Sequence, residues 1–232
     1  MTQIEVADCM QRSLGFDDAV RARRSVRGFR PDPVPQPLLE HVFELANRAP
    51  SNCNTQPWFS VVFGGAACER LRRAFTTGFA SGKVSMDFPY AGQYQGVYQE
   101  RQYDAAARLY TAMGIGRSDK AARGAAFMRN FVFYDAPHVA FVFIPDWAGL
   151  REAADAGMYA QTLMLGLAAH GIGSCPQTAL GFLCDEVRAE AGIDPSWKLL
   201  FGISFGYEDT TTPANECRLG RAGLEDSVRF VS

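Results

Sequence analysis

The apolar positions along the chain change period several times, and each change marks an element. Leu38, Leu39, Val42, Phe43, Leu45, Ala46 and Ala49 recur at helical spacing, which predicts a helix ended by Pro50. Trp58 to Phe63 is a short run of aromatic and β-branched residues closed by Gly64-Gly65, and it predicts a strand. Val139 to Ile144 and Leu199 to Phe205 read the same way, and Val228 to Val231 is a candidate fourth strand. Ala66 to Ala80, Val97 to Ala112, Ser118 to Phe133 and Leu180 to Ala191 read as helices, the last stopped by Gly192. Phe16 to Arg24 predicts a short helix whose last turn gathers Arg21, Arg23 and Arg24 at the negative end of the helix dipole. Pro31, Pro33, Pro35 and Pro37 then impose an extended connection. Ala153 to His170 is apolar almost all round, which predicts a buried central helix with Gly171 as its left-handed cap. Gly82 to Gly96 fits neither period and reads as an excursion. Strands separated by long helical stretches predict one mixed α+β domain over residues 1–232.

Composition narrows the function classes. A chain of 232 residues with 47% hydrophobic content can bury roughly 70% or more of its unfolded surface. No 18-residue apolar run occurs, so no spanning helix is expected. The formal charge of −2 gives no general attraction to nucleic acid or an anionic membrane, so any anion site must be local. Met1 to Asp18 is polar and acidic, without the basic start and apolar centre of a secretory signal. Cys9, Cys53, Cys68, Cys175, Cys184 and Cys217 are scattered, and read as reduced buried thiols of a cytoplasmic protein.

Three tempting motifs fail on their own chemistry. Gly202-Ile203-Ser204-Phe205-Gly206 spells a nucleophile elbow, but a turn-like segment follows it and all three histidines precede it. Gly78 to Lys83 is one residue too short for a P-loop, and Val84 replaces the Mg²⁺-binding hydroxyl. No Gly-x-Gly-x-x-Gly is present, so a Rossmann nucleotide site is not indicated. His41, His138 and His170 lie far apart with no zinc-binding pattern beside them, so no metal site is expected.

One constellation survives. Arg23-Arg24-Ser25-Val26-Arg27 clusters three guanidinium groups and a hydroxyl within five residues. Alone it would read as a solvated helix end. Asn215, Arg218 and Arg221 supply a second basic group near the C-terminus, and guanidinium forks bind phosphate oxygens bidentately. Between them, Ala49-Pro50-Ser51-Asn52-Cys53-Asn54-Thr55-Gln56-Pro57-Trp58 is a polar turn fit to line a planar heterocycle.

These segments, followed by Gly171-Ile172-Gly173-Ser174-Cys175-Pro176-Gln177 and Asn215-x-x-Arg218-x-x-Arg221 in that order, resemble the FMN-dependent nitroreductase family from about Phe16 to Val231. Leu109-Tyr110-x-x-Met113-Gly114-Ile115 through Arg129-Asn130-Phe131 resembles its nitrobenzoate reductase-like members. The resemblance implies a nitroreductase-like α+β fold with a mainly antiparallel central sheet surrounded by helices. It implies a homodimer with FMN at the subunit interface. By the same resemblance, Arg23 and Ser25 hold the phosphate and ribityl end with Arg24 nearby, and Arg221, joined by Arg218, completes the clamp. Arg27 reaches the pyrimidine edge, and Pro50, Ser51, Asn52 and Asn54 come from the partner subunit. Pro176, Gln177 and Thr178 pass beside the ring, with the backbone N–H of Thr178 near N5. Gln99 and Gln102 match positions that face the flavin edge, where glutamine at 102 replaces a common lysine.

The implied activity is ping-pong transfer of hydride from NADPH or NADH through the flavin to a small aromatic, nitroaromatic or quinone-like acceptor. The flavin carries the chemistry, so no catalytic side chain is required. Residues 79–110, with Phe88, Tyr90, Tyr94, Tyr98 and Tyr103, form a candidate lid. The scaffold also supports reductive dehalogenation, for which the Glu-Tyr-Lys lid triplet is missing from Phe79 to Tyr110. A non-catalytic flavin-binding redox sensor is the reading outside enzymes.

Overall fold

The computed structural model describes residues 13–90 and 92–232; Cys9, the stretch 1–12 and Ala91 of the excursion lie outside them. In chain order the regular elements are α1 (Phe16–Ala22), α2 (Gln36–Ala46), β1 (Phe59–Gly64), α3 (Gly65–Ala80), α4 (Val97–Ala112) and α5 (Lys120–Met128). They continue as β2 (His138–Pro145), α6 (Leu150–Ala169), β3 (Gly173–Gln177), α7 (Cys184–Ala191) and β4 (Trp197–Gly206). The four strands form one sheet in the order β1-β2-β4-β3, every pair antiparallel.

The central strand β2 shows how the sequence builds the layers. Side chains alternate across a strand, and both faces of β2 are buried. Val139, Phe141 and Phe143 enter a cluster with Leu71 and Phe75 of α3 and Val187 of α7. Ala140, Val142 and Ile144 enter a second cluster with Leu38 and Val42 of α2 and Leu163 and Leu167 of α6. The sheet is therefore the middle layer between two helical layers, which explains its unbroken apolar runs.

Four expectations change. The fourth strand is β3, while Val228 to Val231 is irregular and exposed. The first helix stops at Ala22, because Arg23 is extended (φ −60, ψ 121) so that Ser25 can bridge Ser174. The helix expected over Ser118 to Phe133 ends at Met128. Helix α6 buries one stripe, Ala156, Tyr159, Ala160, Leu163, Met164 and Leu167, and leaves Met158 41% exposed. The glycine caps stand as expected, with Gly171 at φ 72 and Gly192 at φ 65. The cysteines divide: Cys68, Cys175 and Cys184 are buried, Cys217 is half-buried and Cys53 is exposed.

Helix α4 has no buried residue, and Tyr94, Val97, Tyr98 and Tyr103 around it are exposed. It is tied to the C-terminal segment, where Arg101 pairs with Asp226 at 3.8 Å. Among the described residues no helix is long and apolar enough to cross a membrane.

Candidate functional site

The basic motif runs in extended conformation beside β3. The Val26 N–H donates to Ser174 O at 3.0 Å, and Val26 is buried. Extended backbone alternates its side chains, so Arg23, Ser25 and Arg27 point one way while Arg24 and Val26 point the other. Val26 approaches β3 so closely that a Cβ on Gly173 would stand 2.8 Å from Val26 Cγ2, which is why that strand begins with glycine. Arg24 pairs with Glu208 on the far side, so its charge is compensated.

The C-terminal arginines are brought to this motif by Asn215, which is buried. Its Oδ1 accepts the backbone N–H of Arg27 at 2.6 Å. Its Nδ2 donates to Gly28 O and Asp209 O, each at 2.9 Å. One side chain thus joins positions 27, 28, 209 and 215. Gly28 leaves room for Thr212, whose side chain occupies the place a Cβ would take.

The result is a cavity of about 930 Å³ lined by Arg23, Arg24, Ser25, Arg27, Pro176, Arg218 and Arg221, with Gln161 and Met164 from α6. Its size falls within the range of roughly 300–1,000 Å³ common for cofactor pockets. Arg218 donates to Asn215 O at 2.5 Å and Arg221 to Gly220 O at 2.9 Å. Those acceptors are neutral carbonyls. Among the described residues no carboxylate makes an ion pair with Arg23, Arg27, Arg218 or Arg221. Burial first, and the facing Arg221 second, hold the Arg23 guanidinium below its usual range. Arginines from both ends of the chain therefore meet as an uncompensated like-charged pair, an arrangement that an anion of two charges relieves. The donor set fits a phosphomonoester.

Under this clamp, Cys175 contacts the Ser25 hydroxyl, and burial pushes its thiol up to about 11 against the pull of Arg27 and Arg23. It is an inert thiol at neutral pH. Among the described residues no cluster of His, Cys, Asp and Glu is placed to hold a metal ion.

A second cavity of about 500 Å³ shares Arg27 with the first and is lined by Leu109, Tyr110, Met113, Phe127, Asn130 and Tyr134, among others. Phe133, Tyr134 and Asp135 all have positive φ (57, 53 and 64), a conformation costing non-glycine residues on the order of 1–3 kcal/mol each. That turn presents the Tyr134 hydroxyl to Asn130 Oδ1 at 2.8 Å and to Arg27. Burial, and Cys175 after it, push the phenol upward, opposed by Arg27.

The remaining expected site residues fall in three places. Pro176 and Thr178 are exposed, while Gln177 is buried and lines neither cavity. Its Nε2 donates to Asn130 Oδ1 at 3.1 Å, and its Oε1 accepts from the buried Ser204. Pro50, Ser51, Asn52 and Asn54 lie in a loop away from both cavities of their own chain. The Asn52 N–H donates to the buried Asp155 at 3.1 Å, and Trp58 stacks on Tyr159 at 5.1 Å. Cys53, Asn54 and Gln56 have positive φ. Gln99 and Gln102 sit on exposed turns of α4 and line neither cavity. Asn130 and Tyr134, which sequence reasoning did not assign to the site, line the second cavity with Arg27. The Arg129-Asn130-Phe131 likeness touched Asn130, and no sequence signal pointed to Tyr134.

Comparison with known proteins bears on this geometry. A model of the nitroreductase family matches residues 20–207. The chain is 51% identical over 212 residues to nitroreductase NfnB of Mycolicibacterium smegmatis, covering 91% of this chain and 90% of that protein. It is 32% identical to the 4-nitrobenzoate reductase of Pseudomonas putida, over 93% and 95% of the two chains. The crystal structure of the FMN-dependent nitroreductase NfnB from Mycobacterium smegmatis in complex with NADPH superposes with a TM-score of 0.89 at 48% identity, covering 98% of this chain and 100% of that one. The chain belongs to the nitroreductase family.

Proposed function

We propose that the protein is an FMN-dependent NAD(P)H oxidoreductase that reduces nitroaromatic or quinone-like acceptors. The observation that carries this reading is the uncompensated pair Arg23 and Arg221 in a cavity that Arg27 and Arg218 also line. When bound, FMN supplies a two-electron centre that takes hydride from a nicotinamide and passes electrons to an acceptor in a second half-reaction. The protein's own residues bind and orient it. Arg23, Arg221, Arg218 and Ser25 take the phosphate, each charge-assisted hydrogen bond being worth about 1.5–3 kcal/mol. Arg24, already paired with Glu208, supports the clamp from behind. Arg27 faces the pyrimidine edge, where its charge favours the reduced state. Pro176 and the backbone of Gln177 and Thr178 pass beside the ring, with the Thr178 N–H toward N5.

The functional unit is a homodimer. In one chain the loop Pro50–Asn54 serves neither cavity, whereas a twofold partner brings it over the other subunit's ring. The open face of α6, where Gln161 lines the phosphate cavity, and the uncovered α4 fit the same assembly. Residues 79–110 serve as its lid, and the protein works in the cytoplasm.

The test is an anaerobic cycle on purified holoprotein. NADPH or NADH should bleach the flavin within the turnover time, and a nitroaromatic should restore the oxidised spectrum over many cycles. Bleaching that is slow and stoichiometric, with no acceptor returning the colour, would replace the enzyme by a redox sensor.

A further inference from the structure

A line of directed hydrogen bonds runs from the sheet to Tyr134, whose hydroxyl faces Arg27. The Ser204 hydroxyl, fully buried in β4, donates to Gln177 Oε1. Gln177 Nε2 donates to Asn130 Oδ1 at 3.1 Å and to Asn130 O at 3.2 Å. Asn130 Nδ2 donates to Phe127 O at 2.8 Å, which fixes the amide so that Oδ1 faces its donors. The Tyr134 hydroxyl also donates to that Oδ1, at 2.8 Å. With its proton committed to Asn130, the phenol oxygen offers the neighbouring Arg27 guanidinium only lone pairs, which suit an N–H donor.

The surroundings say why this matters. Among the described residues Arg27 is the one that lines both cavities, and Tyr134 lines only the outer one. Tyr134 therefore approaches Arg27 from the outer cavity, while Arg27 Nη1 donates to Ser25 O at 3.4 Å beside the clamp. Its backbone lies in a left-handed triplet with no glycine or asparagine to favour it, a conformation that persists because its surroundings hold it. Asn215 fixes the backbone N–H of the same arginine. Arg27 is held at both ends.

We propose that Tyr134 is a positioning residue for Arg27, bracing its guanidinium toward the flavin cavity so that the arginine, with the Asn130–Gln177–Ser204 chain behind it, sets the reduction potential of the bound flavin. This rests on the flavin reading given above. An arginine free to swing toward solvent spreads its charge over many positions; a braced one delivers it to a single edge of the ring.

The experiment compares the wild type with Tyr134→Phe, which removes one oxygen and no apolar surface. Bound FMN should remain stoichiometric, while its two-electron reduction becomes about tenfold less favourable, a potential roughly 30 mV lower. The same change in an Arg27→Ala background should add nothing. In the flavin-free protein, the Arg27 Nε order parameter should fall from about 0.85 toward 0.6 or below. Ser204→Ala, which loosens the far end of the chain, should move both readouts in the same direction by less.

An unchanged potential in Tyr134→Phe with FMN bound overturns the proposal and leaves the flavin reading intact. A shift that persists without Arg27 overturns it too, because Tyr134 would then act on the flavin directly. Wild-type protein that takes up no FMN would instead overturn the flavin reading, with the order parameter still deciding whether Tyr134 braces Arg27.

Discussion

Replacing Asn215 by alanine tests how the two ends of the chain are joined. The side chain makes three hydrogen bonds, from Arg27 N at 2.6 Å and to Gly28 O and Asp209 O at 2.9 Å each. It is 3% exposed, so water cannot freely replace them. At about 0.5–1.5 kcal/mol net per bond the loss is roughly 2–4 kcal/mol. The three bonds share one residue and will not add strictly. For a chain of this length each kcal/mol lowers Tm by about 2–4 °C, so a fall of roughly 4–16 °C is expected. Calorimetry of the flavin-free protein at fixed concentration gives that number. Fluorescence titration with FMN should show at least about a tenfold loss of affinity, equal to roughly 1.4 kcal/mol, because Arg218 and Arg221 lose their register on Arg23. Asn215→Asp keeps the acceptor for Arg27 but sets a carboxylate against two carbonyls, so it should rescue little. A variant melting within a degree of the wild type and binding FMN equally well would refute the joining role.

Three further outcomes follow from buried groups. His138 Nε2 accepts the Val34 N–H at 3.0 Å, and burial lowers its pKa. The unfolded chain therefore binds the extra proton first: stability is full above about pH 6.5 and falls as pH drops below it, a slope that thermal melts should find flattened in His138→Gln. Burial pushes Cys68 and Cys175 up to about 11 and Cys184 up to about 12. At pH 8 a disulfide reagent should label the exposed Cys53 first and leave those three silent until denaturant is added; early labelling of Cys175 would contradict the packing under the clamp. Asp155→Ala should cost about 1.5–3 kcal/mol and speed hydrogen exchange at Asn52, with Asp155→Asn recovering most of both; unchanged exchange would mean the carboxylate does not hold the loop.

Much of the fold was legible because its signals are periodic. The alternation in β2 and the spacing in α2 and α6 each reflect a face that must be buried. Strand β3 was hidden by its own composition, Gly-Ser-Cys-Pro-Gln. Glycine and proline argue against a strand, but β3 is an edge, where a missing N–H costs little. The tail Val228 to Val231 failed the other way: its residues favour strands, but no partner strand reaches it. At the site, Arg23, Ser25, Arg27, Pro176, Arg218 and Arg221 were found by motif, and they do share a cavity. Gln177 was expected to pass beside the ring with its neighbours; strand alternation turns its side chain inward, away from Pro176, which leaves that role to its backbone. The left-handed turn at Phe133–Asp135 has no glycine to announce it. Tyr134 consequently became visible only in three dimensions.

The most direct measurement compares the binding of FMN and riboflavin, which differ only in the phosphate, to the flavin-free protein by calorimetry. If Arg23 and Arg221 grip that group, two or more charge-assisted bonds of about 1.5–3 kcal/mol each should favour FMN by at least roughly a hundredfold, and Arg23→Ala with Arg221→Ala should erase the preference. Equal affinities in the unaltered protein would mean that the meeting of the chain's two ends serves some other purpose.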